Sequence, residues 1–220
     1  NREPARRRSA RKRIGGCAWT KRARVILAID TSAGTSVALV GDGIIAEATT
    51  ADTRSHAEHI GVFIDRVLTD AGVSPSEVTV VVTGIGPGPF TGLRVGIAAG
   101  IAFAVGRGIP IYGLPSHDAV AVGRSACTVV SDVRRRELAW TTYRDGVAID
   151  GPQLTTEATL ANDVDLDTFP EVRAELISAA LLATAAQNRL DRGDDLSSLR
   201  PLYLRAPDAT PNSGPKRVSG

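Results

Sequence analysis

Methionine is absent from the 220 residues and cysteine occurs only twice, at Cys17 and Cys127. Two cysteines cannot build a disulfide framework and lack the paired spacing of a zinc site, a usage that suits a reducing, cytoplasmic compartment. No uninterrupted run of eighteen apolar residues occurs, so no membrane-spanning helix and no membrane partner are expected. Without Met at position 1, residue 1 is not expected to be a translation start. Lysine is scarce as well, three against 23 arginines, which hints at a GC-rich coding sequence and excludes no function.

What is present is a hydrophobic content of 43%, enough to bury the core of one large domain or two small lobes. The net charge of +2 conceals an asymmetry. Residues 1–24 carry ten basic side chains against one acidic, hence +9, and residues 25–220 carry 16 against 23, hence −7. The 1–24 leader has no apolar periodicity and is expected to be disordered. Its arginine clusters suit a nucleic-acid-binding arm, or else it is upstream sequence without a role. No apolar segment comes after the charges, so no secretory signal is expected. Residues 206–220, with Pro207, Pro211 and Pro215, read as a second disordered tail.

The apolar run Val25–Ile29 fits a buried strand that ends at Asp30-Thr31-Ser32. Thr35–Val40 and Ile44–Thr49 are the next strands, around the turn Gly41-Asp42-Gly43, giving a three-stranded antiparallel meander. A helix then starts at Ser55, where Ser55 and Glu58 form a capping-box pattern. Ile60, Phe63, Ile64, Val67, Leu68 and Ala71 recur at helical spacing before Gly72. His56 and His59 stand three apart rather than four, with no third ligand in reach of the pattern, so they read as a solvated helix start and no metal ligand is assigned.

The strand Val78–Val82 leads into Gly84-Ile85-Gly86-Pro87-Gly88-Pro89-Phe90-Thr91-Gly92 and a helix over Thr91–Val105. A glycine loop between strand and helix lets backbone approach an anion at the helix N-terminus, and it serves equally as a tight structural turn. Neither the Walker nor the Rossmann spacing is present. Within the helix, Gly96, Gly100 and Ala104 recur every four residues. Two interior glycines cost about 1 kcal/mol each relative to alanine and require a close neighbour, internal or in a partner subunit.

Residues 127–150 repeat the first pattern. The strand Cys127–Asp132 ends in Asp, Glu137–Tyr143 is a second strand, Arg144-Asp145-Gly146 a turn, and Val147–Ile149 opens a third strand. Hairpins are common enough for two copies to arise by chance, and duplicated strand–Asp–hairpin units are also what a clefted phosphate-binding fold requires. Between them Ser116 is placed to cap a short helix over Asp118–Val122. Residues 153–170 are acidic and weakly patterned, Glu171–Ala186 reads as a helix, and Arg200–Arg205 returns as an extended segment. No catalytic residue is assigned, since no nucleophile–base pair is visible in the pattern.

These pieces, in this order, resemble the TsaB (YeaZ) family of bacterial tRNA threonylcarbamoyladenosine biosynthesis proteins. The resemblance spans roughly residues 25–206 and is carried by Ile26–Ser32, Arg54–Glu58, Gly86–Arg94, Asp132-Val133-Arg134 and Pro201–Arg205. Pro89 stands where the family usually has Ser. The resemblance implies an α/β, two-lobed actin/hexokinase-like (ASKHA) fold, with a first lobe at 25–113 and a smaller second lobe at 114–205. It implies a non-catalytic scaffold that dimerises with the catalytic subunit TsaD, joins the ATPase TsaE, also forms homodimers, and meets tRNA only through the complex. No cofactor is required, and weak ATP or ADP binding would fall on Asp30, Thr31, Ser32, Gly86, Gly88, Thr91 and Gly92. The partner interface would involve Ile60, Phe63, Ile64, Val67, Arg94, Gly96, Ile97, Gly100 and Ala104, so that Gly100→Leu would block the TsaD complex and leave the monomer folded. The alternative is a stand-alone phosphotransferase using Asp30, Asp132 and the glycine loop. Nothing in the residues supports a glycoprotease-type peptidase.

Overall fold

The computed structural model of the chain describes residues 24–41 and 43–205. The 1–24 leader (but for Arg24), the 206–220 tail, Asp42 of the first hairpin turn and Cys17 lie outside the described residues.

Two mixed sheets of related topology form the α/β frame. In the first, β1 (Ile26–Asp30), β2 (Thr35–Gly41) and β3 (Gly43–Thr50) run antiparallel in sequence. Strands β4 (Val80–Gly84) and β5 (Ile111–Leu114) add in parallel on the other side of β1, giving the order β3-β2-β1-β4-β5. In the second, β6 (Ala126–Asp132), β7 (Leu138–Arg144) and β8 (Val147–Thr155) repeat the antiparallel meander, and β9 (Glu171–Arg173) pairs in parallel with β6.

Strand periodicity sorts the core. Along β1, Leu27 and Ile29 face one side, where they join Ile60, Phe63 and Val67 of α1 (His56–Ala71). Helix α2 (Phe90–Arg107) packs on the same side through Val95, Ala99 and Phe103. Ile26 and Ala28 face the other way, onto α5 (Ala179–Asp191). That alanine-rich helix lies between the sheets, because Cys127, Val129 and Tyr143 of the second sheet belong to the same buried cluster. A smaller cluster of Val130, Leu138, Trp140, Leu160 and Val164 closes the outer side of the second sheet, beneath the short helix α4 (Leu160–Asp163).

Several expectations are corrected. The capping box at Ser55 does not form: Ser55 makes no side-chain cap bond, and its hydroxyl turns to Asp52 instead. The reciprocal box is found at Ser74 and Glu77, on a short 3-10 turn over Pro75–Glu77. Residues 171–173 are a strand rather than helix, because they complete the edge of β6; the helix waits until Ser178, whose hydroxyl accepts the Leu181 N–H at 3.2 Å. Helix α3 spans Ser116–Ala121 with Pro115 at its cap position, so Ser116 is free for another task. The expectation that no helix could span a membrane is also qualified. By length and composition α2 is apolar enough to cross one, although its Leu93, Ile97, Gly100 and Ala104 face the protein interior.

Candidate functional site

Asp30 closes β1 and is 1% exposed. Its Oδ1 accepts the Ser32 N–H at 2.8 Å and the Ser32 hydroxyl at 2.6 Å, and its Oδ2 accepts the Ser116 hydroxyl at 2.6 Å. The Ser116 oxygen in turn accepts the Gly86 N–H at 3.2 Å. Burial pushes the Asp30 pKa up, and the hydrogen bonds from Ser116 and Ser32 oppose that rise. This network ties the first strand to the glycine loop and to the start of α3.

The glycines of the loop make room for the chain itself. A Cβ on Gly84 would collide with the Asp30 carboxylate, and one on Gly88 would stand 2.8 Å from the Ser32 carbonyl oxygen. A Cβ on Gly92 would stand 2.6 Å from the Thr31 carbonyl oxygen, and one on Gly96 would strike the Thr31 hydroxyl. That hydroxyl donates to the Gly92 carbonyl at 2.8 Å. Of the residues read as a phosphate cleft, Asp30, Thr31, Ser32, Gly86 and Gly92 are therefore buried against one another. Gly88 sits on Ser32, and Thr91 is exposed at the first turn of α2.

An open cavity of about 340 Å³ does lie beside this junction. Ser32 and Pro89 line it from the first half, and Ser131, Asp132, Arg134 and Arg173 from the second, so residues of both repeats share one space. Asp132 is exposed and accepts the Arg134 N–H at 2.6 Å. Arg134 to Arg136 all hold positive φ, between 60° and 73°, a conformation that non-glycine residues adopt at a cost. Arg134 also donates to Thr53 of the first half.

One nucleophile–base contact that the sequence pattern concealed is present. His117 Nε2 lies 2.8 Å from the Ser131 hydroxyl, and its Nδ1 lies 2.9 Å from the Thr141 hydroxyl. Burial lowers the His117 pKa to about 3, which leaves the imidazole neutral and a feeble base. Its orienting partner is a hydroxyl rather than a carboxylate. The arrangement links β6 to β7 and does not activate Ser131. His56 is likewise turned inward, 2.8 Å from the Thr35 hydroxyl, rather than solvated as its place at a helix start suggests; burial lowers its pKa.

The expected partner face is redistributed. Ile60, Phe63 and Val67 are buried on the first sheet, Ile64 is half-buried with them, and Ile97 is buried too. Gly96 abuts Thr31, Gly100 lies against Val81, Thr83 and Ile111, and Ala104 is buried. The small-residue stripe is thus a seat for the sheet, because a helix resting directly on strands needs the same close approach as one resting on a helix. A leucine at position 100 would strike β4 and β5, so Gly100→Leu tests folding rather than association. Only Arg94 of the nine is exposed. Its Nε donates to the Tyr203 hydroxyl at 2.8 Å, its guanidinium lies 3.7 Å above the Phe90 ring, and Phe90 and Tyr203 stack at 4.8 Å.

The exposed surface of these helices carries apolar residues that fell outside the stripe: Val62 on α1, 64% exposed, and Ile101 and Val105 on α2, the latter 75% exposed, with Ala98 and Ala102 beside them. Their being off the inward stripe was the available signal. Ser116 was missed as a site residue because only the fold brings it to Asp30.

The family model described as TsaD: tRNA N6-adenosine threonylcarbamoyltransferase matches residues 31–165. An uncharacterized protein of Mycobacterium tuberculosis is 38% identical over 183 residues, covering 76% of this chain and 83% of the relative. The tRNA threonylcarbamoyladenosine biosynthesis protein TsaB of Escherichia coli is 33% identical over 126 residues, 54% of each chain. Among solved structures, YeaZ from Pseudomonas aeruginosa superposes with a TM-score of 0.68 at 24% identity, covering 82% of this chain and all of the other.

Proposed function

We infer, for a chain that belongs to the threonylcarbamoyltransferase (TsaD) family and counts TsaB (YeaZ) proteins among its relatives, a role in tRNA threonylcarbamoyladenosine biosynthesis. Its part there is that of a non-catalytic scaffold for a TsaD-type subunit. The observation that carries this reading is the outer apolar surface of α1 and α2, where Val62, Ile101 and Val105 are exposed while the opposite faces are committed to the sheet. Isolated exposed apolar residues are ordinary, but several on adjoining helices suit burial against a partner. The stack of Phe90, Arg94 and Tyr203 adds an aromatic and cationic group at the N-terminal end of that surface. In this reading the same face serves a homodimer, TsaE joins the pair, tRNA is met through the complex, and the site of action is the cytoplasm.

The two repeated meanders flanking α5 support an actin/hexokinase-like arrangement of lobes at 25–113 and 114–205. A nucleotide is not required; weak ATP or ADP binding would use the cavity that Ser32 and Asp132 share. The phosphotransferase alternative is disfavoured by Asp30, both of whose oxygens are engaged inside the protein.

Val62→Glu combined with Val105→Glu tests the scaffold reading. The expected outcome is loss of co-purification with a TsaD-type subunit and loss of stimulated tRNA threonylcarbamoylation, with the isolated chain still folded by circular dichroism. Undiminished co-purification overturns it.

A further inference from the structure

A second pocket, of about 380 Å³, lies on the second half of the molecule, away from the cavity shared by Ser32 and Asp132. Its walls are the turn after α3, the β7–β8 turn and the last turns of α5. The Asp145 N–H donates to the Ser125 carbonyl at 2.8 Å, which fastens the first two walls together. The volume is that of a small-molecule site.

The charges in it divide into spent and unspent. Asp118 is buried and neutralised, accepting the Tyr143 hydroxyl at 2.7 Å and Arg189 at 2.9 Å. Arg189 gives its Nε to Asp194 at 2.8 Å, so both partners of that guanidinium are fixed. Arg192 lies 3.8 Å from Asp194, too far for a full hydrogen bond, and keeps donors available. Arg124 donates its Nε to the Val120 carbonyl at 2.9 Å; among the described residues its terminal nitrogens have no carboxylate partner. Asp145 lines the same pocket, and no hydrogen bond or ion pair among the described residues engages its carboxylate. Two arginines with donors to spare and one aspartate whose carboxylate has no partner among the described residues thus line a common space. A dianion would be drawn to the arginines and repelled by Asp145, whereas a molecule carrying one carboxylate and one ammonium group answers both.

We propose that this pocket binds a small zwitterion of the free α-amino-acid kind. Arg124 and Arg192 hold its carboxylate, Asp145 holds its ammonium group, and the Asp118–Arg189 pair forms a rigid floor. The site is independent of the scaffold role and is complete without a partner subunit.

The test is a heteronuclear NMR titration of the full chain at constant ionic strength. The probes are glycine, L-serine, L-threonine and L-glutamine, each compared with acetate and with methylammonium. At least one amino acid is expected to give saturable shifts confined to residues 122–125, 145–146 and 188–192, with both singly charged probes weaker by about tenfold or more. Arg124→Gln keeps a donor for the Val120 carbonyl and is expected to weaken amino-acid binding by about tenfold. Asp145 has φ 50°, which asparagine tolerates, so Asp145→Asn keeps the turn and is expected to abolish the preference over acetate. The proposal is overturned if no amino acid gives saturable shifts, if acetate binds as well to the unaltered protein, or if binding survives Arg124→Gln undiminished.

Discussion

Asp30 and Asp132 each close the first strand of a three-stranded meander, yet Asp30 is buried and accepts three hydrogen bonds whereas Asp132 is exposed and accepts one from the Arg134 N–H. The difference lies in the elements added after each meander. Beyond the first, β4 and the glycine loop bring Gly84 directly over the carboxylate, and the chain continues through β5 to deliver Ser116. Beyond the second, the parallel addition is only the three-residue β9, no glycine loop succeeds it, and Asp132 stays open to the cavity. The same local pattern therefore yields a structural node in one half and an accessible carboxylate in the other.

The strongest blow to this contrast is Gly84→Ala. The added methyl has no space beside the Asp30 carboxylate, and a loss of more than about 3 kcal/mol in urea unfolding is expected. Next comes the direct comparison of the two aspartates. Asp30→Ala leaves the Ser32 N–H and two buried hydroxyls without their acceptor, for a cost of about 3 kcal/mol, while Asp132→Ala should cost less than about 1 kcal/mol. Equal costs for the two would end the claim that their roles have diverged.

The buried histidine of the second half sharpens it by pH. His117 is held neutral with a pKa of about 3, against an ordinary 6.5. Below pH 6.5 the unfolded chain takes up a proton that the folded chain refuses, so stability falls as pH is lowered toward 3, at up to about 1.4 kcal/mol per pH unit. Asp30 works in the opposite sense: its raised pKa favours the folded state in acid, and that contribution declines as pH rises above its ordinary 3.8. The informative measurement is thus the difference between the parent protein and His117→Gln in urea midpoints from pH 4 to 7, where the variant should show the shallower dependence. An identical slope would mean that His117 is not held neutral.

The smallest expected effect concerns the joint between the halves. Glu47 on β3 accepts the hydroxyls of Ser36 and Ser178 at 2.9 Å and the Ala180 N–H at 3.2 Å, so a carboxylate from the first half sits at the N-terminal end of α5. Glu47→Gln should cost about 1 kcal/mol, read as a shift in the thermal midpoint.

Much of the frame was legible along the chain. The unbroken apolar run of β1 records a strand buried on both faces, the Ile60, Phe63, Val67 spacing of α1 records its buried side, and the Asp-Gly turn at 145–146 records a hairpin. Less legible were features set by neighbours distant in sequence. Ser55 and Glu58 matched a capping box, but Asp52 captured the serine hydroxyl. Glu171–Arg173 matched the front of a helix, but the free edge of β6 recruited it as a strand.

The sequence by itself determined the first meander and its repetition, the helices that follow Ser55 and the glycine loop, and the family to which the chain belongs, because these rest on local periodicity, turn chemistry and a short specific run of residues. The tertiary structure alone decided which side of each helix is spent on the sheet and which remains at the surface. It also decided that Asp30 is enclosed by Gly84 and Ser116 while Asp132 is not, and that Arg124, Arg192 and Asp145 share one pocket. Those outcomes depend on which distant atoms occupy the space beside a residue, and no local pattern along the chain encodes that.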